Sequence, residues 1–149
     1  EARAWNGGNV ARDFFTFTLT GDQVLTAINV LGYDDPTTSA ADDGNTGFHG
    51  LIAGDVATIP GSGFDNIGGV LVNGGTVGSD IFLDISNGGI SGGTGSANPL
   101  PAGTYTYVGQ QTGPQLTDYR LGFVVSVIPE PAAIGLVAPL ALALRRRRA

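Results

Sequence analysis

The chain has 149 residues and a net charge of −6, with 7 arginines and no lysine against 13 acids. Its length suits one ordinary domain plus a tail, and its acidity argues against nucleic acid as a partner, because such binding comes mainly from basic contacts to phosphates. With no cysteine there is no disulfide, thiolate nucleophile or cysteine-based zinc site, and cysteine usage carries no information about compartment.

The charge is unevenly spread. Residues 1–128 hold three arginines against twelve acids, a net −9, whereas the stretch from Pro129 onward holds four arginines against one acid, a net +3. There is no methionine, so the initiator is missing, and Glu1 is not followed by the basic-then-apolar pattern of a secretory signal. The chain is therefore expected to be a processed or truncated product whose leader, if any, lay upstream. Glycine is abundant, at 25 residues, and short Thr, Val, Ile and aromatic runs alternate with turn formers, which is the pattern of an all-β domain.

Residues 13–20 give the clearest strand, with Phe15, Phe17 and Leu19 alternating against Thr16, Thr18 and Thr20. Gly21-Asp22 reads as a turn. Residues 24–31 then place Val24, Ile28 and Val30 on one side, so the two segments are expected to form a hairpin or neighbouring strands. Residues 48–53 and 68–72 are weaker strand candidates. Asn73-Gly74 and Asn87-Gly88 are turn dipeptides, and between them residues 80–85 alternate Ile81, Leu83 and Ile85 against Asp80, Phe82 and Asp84, which predicts a strand with one wet face. A Gly/Ser-rich loop over 88–98 leads into an aromatic strand over 104–108. Residues 119–127 predict the last strand, with Leu121, Phe123, Val125 and Val127 on one face. About seven short strands without intervening helical patterns predict an antiparallel β-sandwich of the jelly-roll or immunoglobulin-like kind over residues 1–128.

Candidate chemistry is sparse. Gly89-Ile90-Ser91-Gly92-Gly93 matches G-x-S-x-G, but a nucleophile elbow needs a helix after the serine and Thr-Gly-Ser-Ala-Asn-Pro cannot start one, so a flexible loop is expected. His49 is the only histidine, and beside Phe48 at a strand start it reads as structural or merely exposed rather than catalytic. Asp34, Asp35, Asp42, Asp43 and Asn45 crowd a polar loop with oxygen ligands of the kind calcium prefers, although the spacing is not that of an EF-hand. A solvated acidic loop is the plainer reading, and calcium is the one cofactor to consider. Trp5, Tyr33, Tyr105, Tyr107 and Tyr119 could present a flat surface to sugar rings, but tyrosines at strand spacing ordinarily fill a sandwich interior.

Two resemblances add to this. "RDFFTFTLTGDQVLTAINV" and "LPAGTYTYVGQQTGPQLTDYRLGFVVSV" resemble the frame of bacterial pre-peptidase C-terminal-type domains, small β-sandwiches appended to secreted proteins; the matching pieces are residues 13–30, 102–105 and 118–121. At the C-terminus, Pro129 and Pro131 end the last strand. Residues 132–144 are apolar throughout and predict a short hydrophobic helix of about 20 Å, less than the roughly 30 Å of a bilayer's hydrocarbon core. Four arginines follow, as cytoplasmic positive charge would follow a membrane segment, which places residues 1–128 across the membrane.

The order Pro-Glu-Pro, apolar segment, arginine cluster resembles the PEP-CTERM sorting signal of Gram-negative bacteria over residues 129–149. The resemblance implies Pro129, Glu130 and Pro131 as recognition elements and Arg145, Arg146, Arg147 and Arg148 as the cytoplasmic stop. It also implies an exosortase-type membrane enzyme as partner, transient anchoring in the inner membrane, and an association with exopolysaccharide. The expectation is an exported, non-enzymatic protein of the cell surface or extracellular matrix, structural or adhesive and able to self-associate through an open strand edge. The alternative is a calcium- or polysaccharide-binding module.

Overall fold

The computed structural model describes residues 2–4, 12–34, 46–56, 66–90, 92–112 and 117–129. Seven strands, β1 (Ala2–Ala4), β2 (Arg12–Leu19), β3 (Gln23–Asp34), β4 (Gly47–Ala53), β5 (Asn66–Val72), β6 (Gly103–Gln111) and β7 (Thr117–Val127), are joined by one short helix, α1 (Phe82–Ser86), between β5 and β6. They form two antiparallel sheets, one ordered β1-β7-β3 and the other β2-β6-β4-β5. All-β is thus the class, as the alternation predicts. Side chains from both sheets meet in one core cluster that includes Leu25, Ile28 and Val30 of β3 and Leu51, Val72 and Tyr107 of the other sheet.

The expected β2–β3 hairpin is not formed, because the two strands lie in different sheets. Gly21 takes a positive φ of 52°, and Gln23 closes the turn twice: its amide donates to the Thr20 carbonyl at 2.8 Å, and its side-chain oxygen accepts from the Thr20 amide at 3.0 Å. The chain thereby crosses from one sheet to the other, and distant strands supply the ladders. β2 runs against β6 without a register shift from Arg12↔Gln110 to Leu19↔Gly103. Its threonine face is matched by another, with hydroxyl contacts Thr16–Thr106 at 3.0 Å and Thr18–Thr104 at 3.1 Å.

In β3, register shifts at Leu25/Ala27 and Val30/Gly32 break the two-residue period. Leu25, Ile28, Val30 and Tyr33 all become buried, together with Val24, rather than a single alternating set.

Residues 82–86 are helical, not extended. Phe82 and Ile85, three apart, face the core on one side of the helix with Ile81 just ahead of them, while Leu83 and Asp84 face solvent. Asp80 starts the turn: its Oδ1 accepts from the Phe82 amide and from the Ile28 amide, each at 2.9 Å, which ties α1 to β3. Asn87-Gly88 ends the helix, with the Gly88 amide returning to the Ile85 carbonyl at a φ of 93°. A strand over 80–85 would have put Phe82 in water, and burial of that side chain decides for the helix.

The glycine-rich segment that follows is packed, not loose. Residues 88–90 and 92–95 lie along the outer edge of β5, with the Ile90 amide on the Gly69 carbonyl at 2.9 Å and the Gly95 amide on the Ile67 carbonyl at 2.8 Å. The backbones touch: a Cβ on Gly89, whose φ is 58°, would fall 2.0 Å from the Gly69 carbonyl oxygen. Among the described residues no helix is long and apolar enough to cross a membrane; residues 132–144, where that segment is expected, lie outside them.

Candidate functional site

The two sheets are closed on one side and open on the other. On the β3 and β5 side, α1 and the chain around it plug the gap with Ile81, Phe82, Ile85 and Leu100, all buried. Between β2 and β7 the three-residue β1 reaches only the Thr117–Tyr119 end of β7, and among the described residues nothing covers the rest. The apolar face expected along β7 runs out of cover: Tyr119 is buried, Leu121 and Phe123 are partly buried, and Val125 and Val127 are exposed. Phe15 of β2 is 55% exposed. Phe15, Phe17 and Phe123 pack on one another with ring centres 5.5–6.0 Å apart. Half-open cavities of about 360 and 350 Å³ lie on either side of the Phe15–Phe123 contact, the first reaching Asp13 and Arg120, the second Leu19 and Val125.

Behind the first cavity is a buried polar group centred on His49, which is 1% exposed. Tyr33, Tyr107 and Tyr119 surround its ring, the Tyr119 ring standing edge-on at 4.8 Å. His49 Nδ1 is hydrogen-bonded to the Tyr107 hydroxyl. Burial lowers the imidazole's proton affinity to about 3, so it is neutral at physiological pH. Burial also pushes the Tyr107 hydroxyl well above its ordinary value, so that phenol remains protonated and the pair is one of two neutral groups.

Nearer the surface, the Tyr119 hydroxyl donates to Asp13 Oδ2 at 3.0 Å. Burial raises the Asp13 carboxyl above its usual value while the tyrosine bond opposes the rise, and burial followed by the negative charge of Asp13 raises Tyr119. The arrangement contains buried hydrogen-bond donors and one partly exposed carboxylate, that of Asp13 at the first cavity. His49 is sealed within this group.

The structural reading of His49 is therefore the one the geometry favours, with the "merely exposed" variant excluded by its burial. Tyr33, Tyr105, Tyr107 and Tyr119 are all at least nine-tenths buried, so the surface aromatic group is one of phenylalanines, and Trp5 lies outside the described residues. Of the calcium candidates, Asp34 ends β3 opposite Asp118, whereas Asp35, Asp42, Asp43 and Asn45 lie outside the described residues. Among the described residues no group of three or more His, Cys, Asp or Glu could hold a metal. Ser91 also lies outside them, and residues 92–99 after it form turns and irregular chain with no helix. Of the tail, Pro129 is exposed at the limit of the described chain; Glu130, Pro131 and Arg145, Arg146, Arg147 and Arg148 lie beyond it.

The Phe15–Phe123 seam was not singled out from the sequence. The one local signal was the alternation of Phe with Thr in residues 14–18, which marks a half-buried strand but not which of its edges remains open. No family model, curated protein or solved structure matches the chain.

Proposed function

We propose that this is an exported cell-surface or extracellular-matrix protein, structural or adhesive and non-enzymatic, built as a sandwich of the jelly-roll or immunoglobulin-like kind with a PEP-CTERM-like sorting tail. The observation that carries the reading is the order Pro-Glu-Pro, thirteen apolar residues, four arginines at the C-terminus. It is supported by the opposed charges of body and tail, since the arginines suit the cytoplasmic face while the acidic body lies beyond the bilayer. The end of β7 supports the same boundary: the Ile128 amide on the Asp22 carbonyl, at 2.8 Å, is followed at once by exposed Pro129. The sealed histidine supports the non-enzymatic part.

In this reading an exosortase-type enzyme recognises Pro129, Glu130 and Pro131 while residues 132–144 hold the chain in the inner membrane. Intact-mass measurement on protein recovered from its native cells tests it. Loss of the residues after Pro-Glu-Pro is the expected result, and retention of all four arginines refutes processing.

A calcium-binding role is the second reading. Asp34 ends β3 in register with Asp118 of β7, and the acidic loop, with oxygen ligands of the kind calcium prefers, begins at Asp34. A ligand that binds only the native state must raise its stability, so an unchanged melting temperature in millimolar calcium removes this reading.

A further inference from the structure

We infer that the outer edge of β2 is a strand-pairing surface for the same strand of a second copy, in antiparallel register with Thr16 on the two-fold axis.

β3 and β5, at the margins of the two sheets, are covered, whereas β7 has a partner on its β1 side only over residues 117–119 among the described residues. Residues 88–90 and 92–95 lie on β5. Ser79, Ile81 and Leu100 bond to the outer side of β3, through Val30–Ser79 at 2.9 Å, Ile81–Ile28 at 2.9 Å and Leu25–Leu100 at 3.0 Å. β1, at the margin of its sheet, is only three residues long. The charges of β2, Arg12 and Asp13, stand at one end, and from Phe14 to Leu19 it carries no proline, no charge and no register shift, with side chains of high β-propensity.

The direction of its backbone groups follows from the ladder. The Thr104 carbonyl accepts from the Gly54 amide at 2.8 Å, on the β4 side of β6, so Thr104, Thr106 and Val108 turn their backbone groups away from β2. Their register partners Thr18, Thr16 and Phe14 are therefore in non-hydrogen-bonded pairs, as the close Thr–Thr hydroxyl contacts also require, and present their N–H and C=O groups at the outer edge. Among the described residues nothing accepts from or donates to them. The next outward amide, that of Thr20, is taken by the Gln23 side chain, which bounds the open run at that end.

Three alternating residues with outward amides and carbonyls require an extended partner chain. Paired with itself about Thr16, the strand sets no like charges opposite each other and brings the exposed Phe15 against Phe17, and that self-complementarity selects a second copy as occupant. With Thr16 opposite Thr16 of the second copy, those two residues exchange both backbone bonds, and Phe14 and Thr18 do the same with Thr18 and Phe14 across the axis, for six bonds in all. Phe15 and Phe17 then face Phe17 and Phe15 of the second copy as closely spaced pairs, which covers the exposed Phe15 ring and brings a phenylalanine to the cavities flanking the Phe15–Phe123 contact. Asp13 meets Leu19 and Arg12 meets Thr20, so no like charges oppose each other in the ladder. The acidic bodies repel at longer range, and the pairing is best measured near 0.15 M salt, where the screening length is about 8 Å.

The absence of cysteine makes the register directly testable on the full chain. Thr16→Cys brings two thiols onto the axis with Cα atoms about 5.5 Å apart, within disulfide range. Thr18→Cys leaves its two copies about 13 Å apart, four residues out of step. Under mild oxidation Thr16→Cys should form covalent dimer at least tenfold faster than Thr18→Cys, and a mixture of Phe14→Cys with Thr18→Cys should cross-link where neither does alone. Thr16→Pro, which removes an outward amide without touching the β6 ladder, should abolish the sedimentation dimer and remain folded by circular dichroism. Equal rates for the two single threonine variants, or a dimer that survives Thr16→Pro, overturn the inference. Those outcomes include association through the apolar tail or an edge covered by the chain itself, and the intact-mass result for the tail is unaffected either way.

Discussion

Acidification is predicted to destabilise the fold through His49. In the unfolded chain this imidazole protonates through its ordinary value of 6.5, whereas burial keeps it neutral in the native state down to about 3. Between those pH values the unfolded chain binds more protons, so stability falls as pH falls. Each pH unit below 6.5 removes about 1.4 kcal/mol. A step from pH 6.5 to 4.5 therefore removes about 2 kcal/mol, because half of the unfolded imidazoles are already protonated at the start, and that is a large part of the roughly 5–15 kcal/mol typical of a domain. Asp13 acts in the opposite sense, because its raised carboxyl favours protonation in the native state. The contribution of His49 is isolated by comparing the wild type with His49→Asn, whose side-chain amide offers Tyr107 a hydrogen-bond partner but does not titrate. Urea unfolding at pH 7.5, 6.5, 5.5 and 4.5 should show a lower baseline for the variant, from the smaller side chain, and a shallower loss with acid, by about 2–3 kcal/mol at pH 4.5 relative to pH 7.5. Parallel curves for the two proteins would refute the assignment of His49 as a sealed neutral group.

Two further substitutions test how the elements are held. Gly89→Ala should lower stability by more than about 3 kcal/mol, since it combines a positive φ with a Cβ 2.0 Å from the Gly69 carbonyl oxygen; Gly92→Ala, with a φ of 66° and open space around it, should lose only about 1 kcal/mol, and thermal melts of the pair separate packing from backbone strain. Asp80→Ala leaves the Ile28 and Phe82 amides without their acceptor and should cost about 1–3 kcal/mol in urea, while Asp80→Asn, which retains Oδ1, should lose less than half of that.

The class of the fold was legible wherever one face of a strand is buried and the other wet. Residues 12–19 and 103–111 are strands because their alternation of threonine with aromatic residues fits a pleat. Residues 80–85 misled for a related reason: Ile81, Leu83 and Ile85 alternate as a strand would, yet Phe82, Ile85 and Ile81 share one side of a helix, and the presence of a core wide enough for Phe82 chose between the two periods. β3 was half legible, since its bulges put Leu25 and Tyr33 inside in addition to Ile28 and Val30. Of the site, only the presence of a strand in residues 13–20 could be read, because exposure of Phe15 depends on what β7 leaves uncovered.

By itself the sequence determined that the body is all-β, that Gly21-Asp22, Asn73-Gly74 and Asn87-Gly88 are points of reversal or termination, and that a charge-segregated tail follows Pro129. These are local properties, set by side-chain period, the φ freedom of glycine and the missing amide of proline. The tertiary structure decided that β2 pairs with β6, whose Thr106 is 90 residues from Thr16, and not with β3 across a two-residue turn. It also decided that His49 is enclosed by three tyrosines and that, among the described residues, the outer edge of β2 is left open. Each of those outcomes depends on which distant segments bury the most apolar surface together, and no window of the chain contains both partners.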